Sequence, residues 1–219
     1  MKQIKTSFVF LVLLLVVVSP FFTSSVSANW YSYYSQGGYD GLWATIFTPE
    51  NEPYIPSGDH QSNSVSTPGG GPWVQTGWIF YPTWNQPRQY MEYWVGGVRN
   101  LDELNDQPWG TGIKYEVSYD GTTGTNRWCI WVDRIRRGCW NDIHSAPTLL
   151  IAQSETHTTT DTVFWTDFTA IRVRNANGVW VSPTLQNNMH ADPPYGNTIL
   201  TNESFRTWRH GIFLPIIVK

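Results

Sequence analysis

The chain has 219 residues, 41% hydrophobic and 16% aromatic, with 14 basic residues against 17 acidic ones and a formal net charge of −3. That length buries a substantial core as one domain, and the acidic balance excludes the basic footprint of a nucleic-acid-binding protein. Thirteen Trp, 11 Tyr and 10 Phe favour pleated structure and suit a cleft that grips an extended polymer.

At the start, Lys2 and Lys5 precede an unbroken apolar run from Phe8 to Val18, and small residues lead up to Ala28. This is the layout of a secretory signal peptide covering residues 1–28, so the mature chain is expected to be secreted. The apolar run is too short to span a bilayer comfortably, and no later segment is long and apolar enough for a membrane helix. Residues 29–219 are therefore expected to form a single exported domain, monomeric and without membrane insertion. Both lysines leave with the segment and no acidic residue does, so the 14 basic residues fall to 12 and the net charge from −3 to −5.

Alternating, aromatic-rich runs then follow with turn signals between them: LWATIF, WVQTGWIFYP, RQYMEYWV, IKYEVSYD, RWCIWV, TLLIAQSETH, AIRVRN and GVWVSP. None keeps a helical period. Asp120-Gly121 and Asn177-Gly178 are tight-turn pairs between strand-like flanks. Many short strands at this spacing predict an all-β chain folded as an antiparallel sandwich or barrel. Two polar stretches, Ser57 to Pro72 and Gln186 to Asn197, read as long loops. In RWCIWVDRIRRGCW, Cys129 and Cys139 lie symmetrically about Arg134. A hairpin turning there sets them face to face, and in an exported protein a disulfide follows. With no histidine near those thiols, no metal or other cofactor is expected.

Two polar residues stand out in apolar strands. In GPWVQTGWIF, period 2 puts Trp73, Gln75, Gly77 and Ile79 on one face, and the missing side chain at Gly77 reads as room above the sheet for a substrate backbone. In TLLIAQSETH the strand turns polar at Gln153, Glu155 and His157, again on one face. Glu92 and Glu116 alternate with apolar neighbours and read as outward-facing carboxylates. His157 reads as a solvated loop histidine, while Trp73 and Tyr93 are candidates for lining a substrate cleft or, equally, for packing in the core.

The ordered set YDGLWATIFTP, HQSNSVS, WVQTGWIFYPTWNQPRQYMEYWV, RWCIWVDRIRRGCW, AQSETH, HTTTDTVFWTDF and AIRVRNANGVWVSP resembles the neprosin family of secreted glutamic peptidases and, more distantly, the fungal eqolisins. The resemblance covers nearly the whole of residues 29–219. It implies a concanavalin-like or jelly-roll-like antiparallel β-sandwich whose concave face carries two catalytic residues. Where neprosin has a glutamate, this chain has Gln75, followed by Thr-Gly as in the eqolisins. Glu155 falls where both families keep a glutamate, but Gln153 and Ser154 replace the glycine pair that precedes it in neprosin.

The implied activity is an endopeptidase acting on polypeptide at acidic pH through a Gln75/Glu155 dyad. Peptide hydrolysis needs a base for water, a donor for the oxyanion and an acid for the departing amine. An ionised Glu155 serves as the base and then the acid, while the Gln75 amide holds the oxyanion. The alternative is a non-catalytic binding module, in which aromatic platforms on the same sandwich hold carbohydrate or a protein partner.

Overall fold

The computed structural model describes residues 30–209 except 56–57, 69–70, 122–126, 142, 144–145, 147 and 162–164. The segment 1–28, expected to be a signal peptide, and the tail FLPIIVK lie outside the described residues. All the regular structure described is β. The strands are β1 (Trp30–Tyr39), β2 (Gly41–Phe47), β3 (Gln61–Ser66), β4 (Trp73–Phe80), β5 (Arg88–Val95), β6 (Val98–Asp106), β7 (Gly112–Asp120), β8 (Arg127–Val132), β9 (Ile135–Asn141), β10 (Thr148–Thr156), β11 (Thr166–Arg174), β12 (Trp180–Val181), β13 (Met189–Ala191), β14 (Tyr195–Thr201) and β15 (Ser204–Arg209).

Two antiparallel sheets form a sandwich. One runs β13-β1-β10-β3-β4-β5-β6, the other β14-β15-β11-β2-β7-β8-β9, with β12 on β11. Alternation decides which side chains enter the interior. From the first sheet come Tyr34, Val65, Val74, Trp78, Phe80, Leu150 and Ala152; from the second come Leu42, Ala44, Ile46, Tyr115, Val117, Trp128, Ile130 and Val132. In β11 the inward set changes parity, from Phe168 to Ile171 and Val173. A bulge makes the change: the register against β2 shifts between Thr169 and Arg172, and Ala170 between them has φ 50°.

The two stretches read as loops contain strands. Ser57 to Pro72 holds β3, a central strand whose six residues are all buried, and Gln186 to Asn197 holds β13 and the start of β14. Composition misleads at QSNSVS because its polar side chains are buried between neighbouring strands, some partnered inside the protein and others, such as the Gln61 amide and the Ser64 hydroxyl, without a hydrogen-bond partner. Ser154 Oγ, for example, donates to Asn63 Oδ1 and lies 2.7 Å from Thr207 Oγ1. The hairpin β8–β9 turns through Asp133 and Arg134, both at positive φ, and the Cys129–Cys139 disulfide bridges directly opposed residues.

Candidate active site

The outer face of the first sheet is built by strand alternation. On β4 the inner positions go to Val74, Thr76, Trp78 and Phe80, which leaves Trp73, Gln75, Gly77 and Ile79 outward. Cross-strand pairing extends that face: Gln75 lies opposite Ser66 on β3 and Glu92 on β5, while Glu155 on β10 lies opposite Ser62. A small polar cleft opens there, lined by residues that include Gln75, Glu155, Glu92, Arg99, His60 and Ser62. Its volume of about 20 Å³ admits about one water molecule.

Gln75 and Glu155 therefore share a cleft, but not neighbouring strands. β3 stands between β10 and β4, and along it the two residues are offset from Ser62 to Ser66. The space above Gly77 is also not free for substrate. A Cβ built there would lie 1.8 Å from the Asn63 carbonyl oxygen and 2.7 Å from the Ser64 Cα, so glycine is required by the close passage of the β3 backbone.

Glu92, which alternation alone leaves as one more outward carboxylate, belongs to the cleft. It is 1% exposed. Its Oε2 accepts a 2.6 Å hydrogen bond from Gln75 Nε2, and its Oε1 accepts one from Arg99 Nε. A carboxylate can only accept, so this contact fixes which end of the Gln75 amide is the NH₂. It leaves the second amide N–H and the carbonyl oxygen of Gln75 for other partners. The signal that could have found Glu92 is its parity with Tyr90 and Trp94, but parity selects a face only once the β4–β5 register is known.

Burial raises the Glu155 carboxyl to about 7, with the charges of Glu92 and Asp59 adding to the shift and that of Arg99 opposing it. Tyr90, fully buried, is pushed well above the usual phenol range by burial, and Glu92 and Glu155 add to that. The Glu92 contact is the main reason Arg99 is held above its ordinary value.

Trp73 shares the Gln75 face and pairs in register with Trp94, which is 38% exposed, so two indoles flank one end of the face. Tyr93 does not face the cleft. Alternating with Glu92, it points between the sheets and stacks on Trp140 of β9 at 4.3 Å. His157 is not a solvated loop residue either: its Nδ1 lies 2.8 Å from Asp59 Oδ2, and its ring lies 4.5 Å from that of His60. Glu116 lies in the other sheet, away from the cleft, beside Lys114 and Ser118.

The fold is that of the eqolisin-type glutamic peptidases. Scytalido-glutamic peptidase, solved with a peptide-based transition-state analogue, superposes with a TM-score of 0.60 at 12% identity, covering 84% of this chain and 98% of that one. SCP-B, a member of the eqolisin family solved with the tripeptide Ala-Ile-His, superposes with a TM-score of 0.56, also at 12% identity, over 84% of this chain and 98% of its own. No family model matches the sequence, and a search of curated proteins finds no match. At 12% identity the likeness establishes the sandwich, and the chemistry of the cleft rests on its own residues.

Proposed function

We propose that the chain is a glutamic-type endopeptidase that hydrolyses polypeptides with Glu155 as base and Gln75 as oxyanion donor. The observation that carries this reading is the convergence of Gln75 and Glu155 on one cleft large enough for about one water, with the Gln75 amide held by Glu92. Glu155 takes a proton from the water as its oxygen attacks the scissile carbonyl carbon. The N–H of Gln75 not used by Glu92 donates to the oxyanion, and Glu155 returns its proton to the departing amine nitrogen. Trp73, on the same outer face, is a platform for the substrate chain.

The cleft also modifies the expected pH range. Glu155 holds its proton up to about 7, so the base form that an ordinary glutamate would offer in acid is scarce there, and turnover grows toward neutrality. The ordered motifs point to a neprosin-like relative that has kept the eqolisin glutamine. The leading segment points to export, and the acidic balance of the sequence argues against a nucleic-acid partner.

The deciding experiment is digestion of a denatured protein by purified mature chain between about pH 3 and 8, with Glu155→Gln as control; the window brackets the ordinary and the raised glutamate values. Cleavage by the wild type and none by the variant supports the reading. Equal cleavage by both, or none by folded wild type, overturns it, and in the second case the sandwich is better read as a binding module.

A further inference from the structure

At the end of the cleft wall, antiparallel pairing brings together residues that lie far apart in the chain. The last paired residues of β3 and β10 are Gln61 and Thr156. One step beyond that pair on each strand stand His60 and His157, whose rings lie 4.5 Å apart. Asp59 closes the group. His60 Nδ1 lies 2.8 Å from Asp59 Oδ1, and His157 Nδ1 lies 2.8 Å from Asp59 Oδ2. Two ring nitrogens thus face a single carboxylate, and one ligand atom from each residue falls within 4.8 Å of the others.

We infer that Asp59, His60 and His157 form a binding site for a divalent transition metal of the Zn²⁺ class. Two imidazole nitrogens and one carboxylate oxygen are the borderline donor set that such ions prefer, whereas Ca²⁺ and Mg²⁺ require shells dominated by oxygen. Bonds of about 2.0–2.2 Å in a tetrahedral shell set the donors roughly 3.3–3.6 Å apart, so each histidine nitrogen, now 2.8 Å from an Asp59 oxygen, would separate slightly from the carboxylate as the ion replaces the hydrogen bond. The side chains of His60, His157 and Asp59 are 12%, 23% and 39% exposed, so Asp59 has the most room to adjust. Three protein ligands leave a fourth position on the ion for water or a ligand. His60 also lines the cleft, so the ion would lie at the cleft's wall. The inference does not depend on peptide hydrolysis.

The test is calorimetric titration of tag-free, chelator-treated mature protein with Zn²⁺, with Ca²⁺ and Mg²⁺ in parallel. One Zn²⁺ per chain is expected, with no heat from the other two. His60→Ala and His157→Ala should each weaken binding by roughly tenfold or more. His190→Ala should bind as the wild type does, because His190 belongs to the separate contact with Asp192. If His60→Ala does not fold, the measurement rests on His157→Ala and on a Zn²⁺-dependent rise in melting temperature that this variant lacks. The inference is overturned by absent Zn²⁺ binding, by equal binding of Ca²⁺, by His157→Ala binding like the wild type, or by loss of binding in His190→Ala.

Discussion

Gln75 donates to Glu92 across the β4–β5 pair at 2.6 Å, and the opposite oxygen of Glu92 accepts from Arg99. The amide proposed to stabilise the oxyanion is thereby oriented before any substrate arrives, which is what preorganisation requires. Glu92→Ala should lower kcat by roughly tenfold or more with a smaller effect on KM, since the lost function is orientation rather than binding. The variant should also move the ionisation of Glu155 to lower pH. The charge of Glu92 raises that carboxyl and the charge of Arg99 lowers it, so removing Glu92 leaves Arg99 opposed only by the smaller contribution of Asp59 among the charges. A pH–rate profile reads both effects, and an unmoved profile would count against the electrostatic link.

Wild-type kcat/KM, measured on chelator-treated protein so that no bound metal contributes, should rise with pH through a limb near 7. This follows from Glu155 being the base and keeping its proton up to about 7. A limb near the ordinary glutamate value of about 4.3 would show that substrate-free burial does not govern the reacting state.

Stability carries the opposite sign from the usual paired carboxylate. The folded-state value of Glu155 is raised, so between about 4.5 and 7 the folded protein holds a proton that the unfolded chain has released, and stability falls as pH rises through that window. Below the window there is no penalty, and above it the penalty is complete, on the order of 3 kcal/mol. Glu155→Gln, which cannot ionise, should therefore melt at a higher temperature than wild type at pH 8 and match it near pH 4. Thermal melts at the two pH values check this.

Gln75→Ala should cost roughly 10²–10³ in kcat if the amide acts as a single oxyanion donor. Gln75→Glu is more revealing, because the new carboxylate would meet Glu92 before it meets Glu155. Two acids at that contact cannot both ionise cheaply, so they should titrate as a coupled pair and lower stability at neutral pH relative to acid. Chemical denaturation at pH 4 and pH 7.5 separates the two states.

The sandwich was legible because Leu42, Ala44 and Ile46, or Trp128, Ile130 and Val132, alternate cleanly, and Cys129 and Cys139 straddle a turn. β3 was not, because Gln61 to Ser66 hides a central strand behind a polar composition; it is buried between β10 and β4, with Asn63 accepting from Ser154, far away in sequence, and the Gln61 amide left without a hydrogen-bond partner. Gln75 and Glu155 were singled out as polar residues in apolar strands, and both reach the cleft. Glu92 and the pairing of His60 with His157 depend on cross-strand register, which no single strand encodes. Tyr93, open between cleft and core in the sequence, packs between the sheets against Trp140.

The strand between Glu155 and Gln75 also bears on the length of their side chains. Two inter-strand spacings, roughly 9–10 Å of backbone, part their strands before the offset along β3 is counted. Groups meeting over such a gap must extend far from their Cα atoms, and glutamate and glutamine each reach one methylene beyond aspartate and asparagine. An aspartate at 155 would keep the charge but withdraw the carboxylate by roughly 1 Å, a displacement on the scale that can cost about 10²-fold in rate. A buried spacer strand of fixed width thus accounts for a cleft furnished with the longer members of the acid and amide pairs.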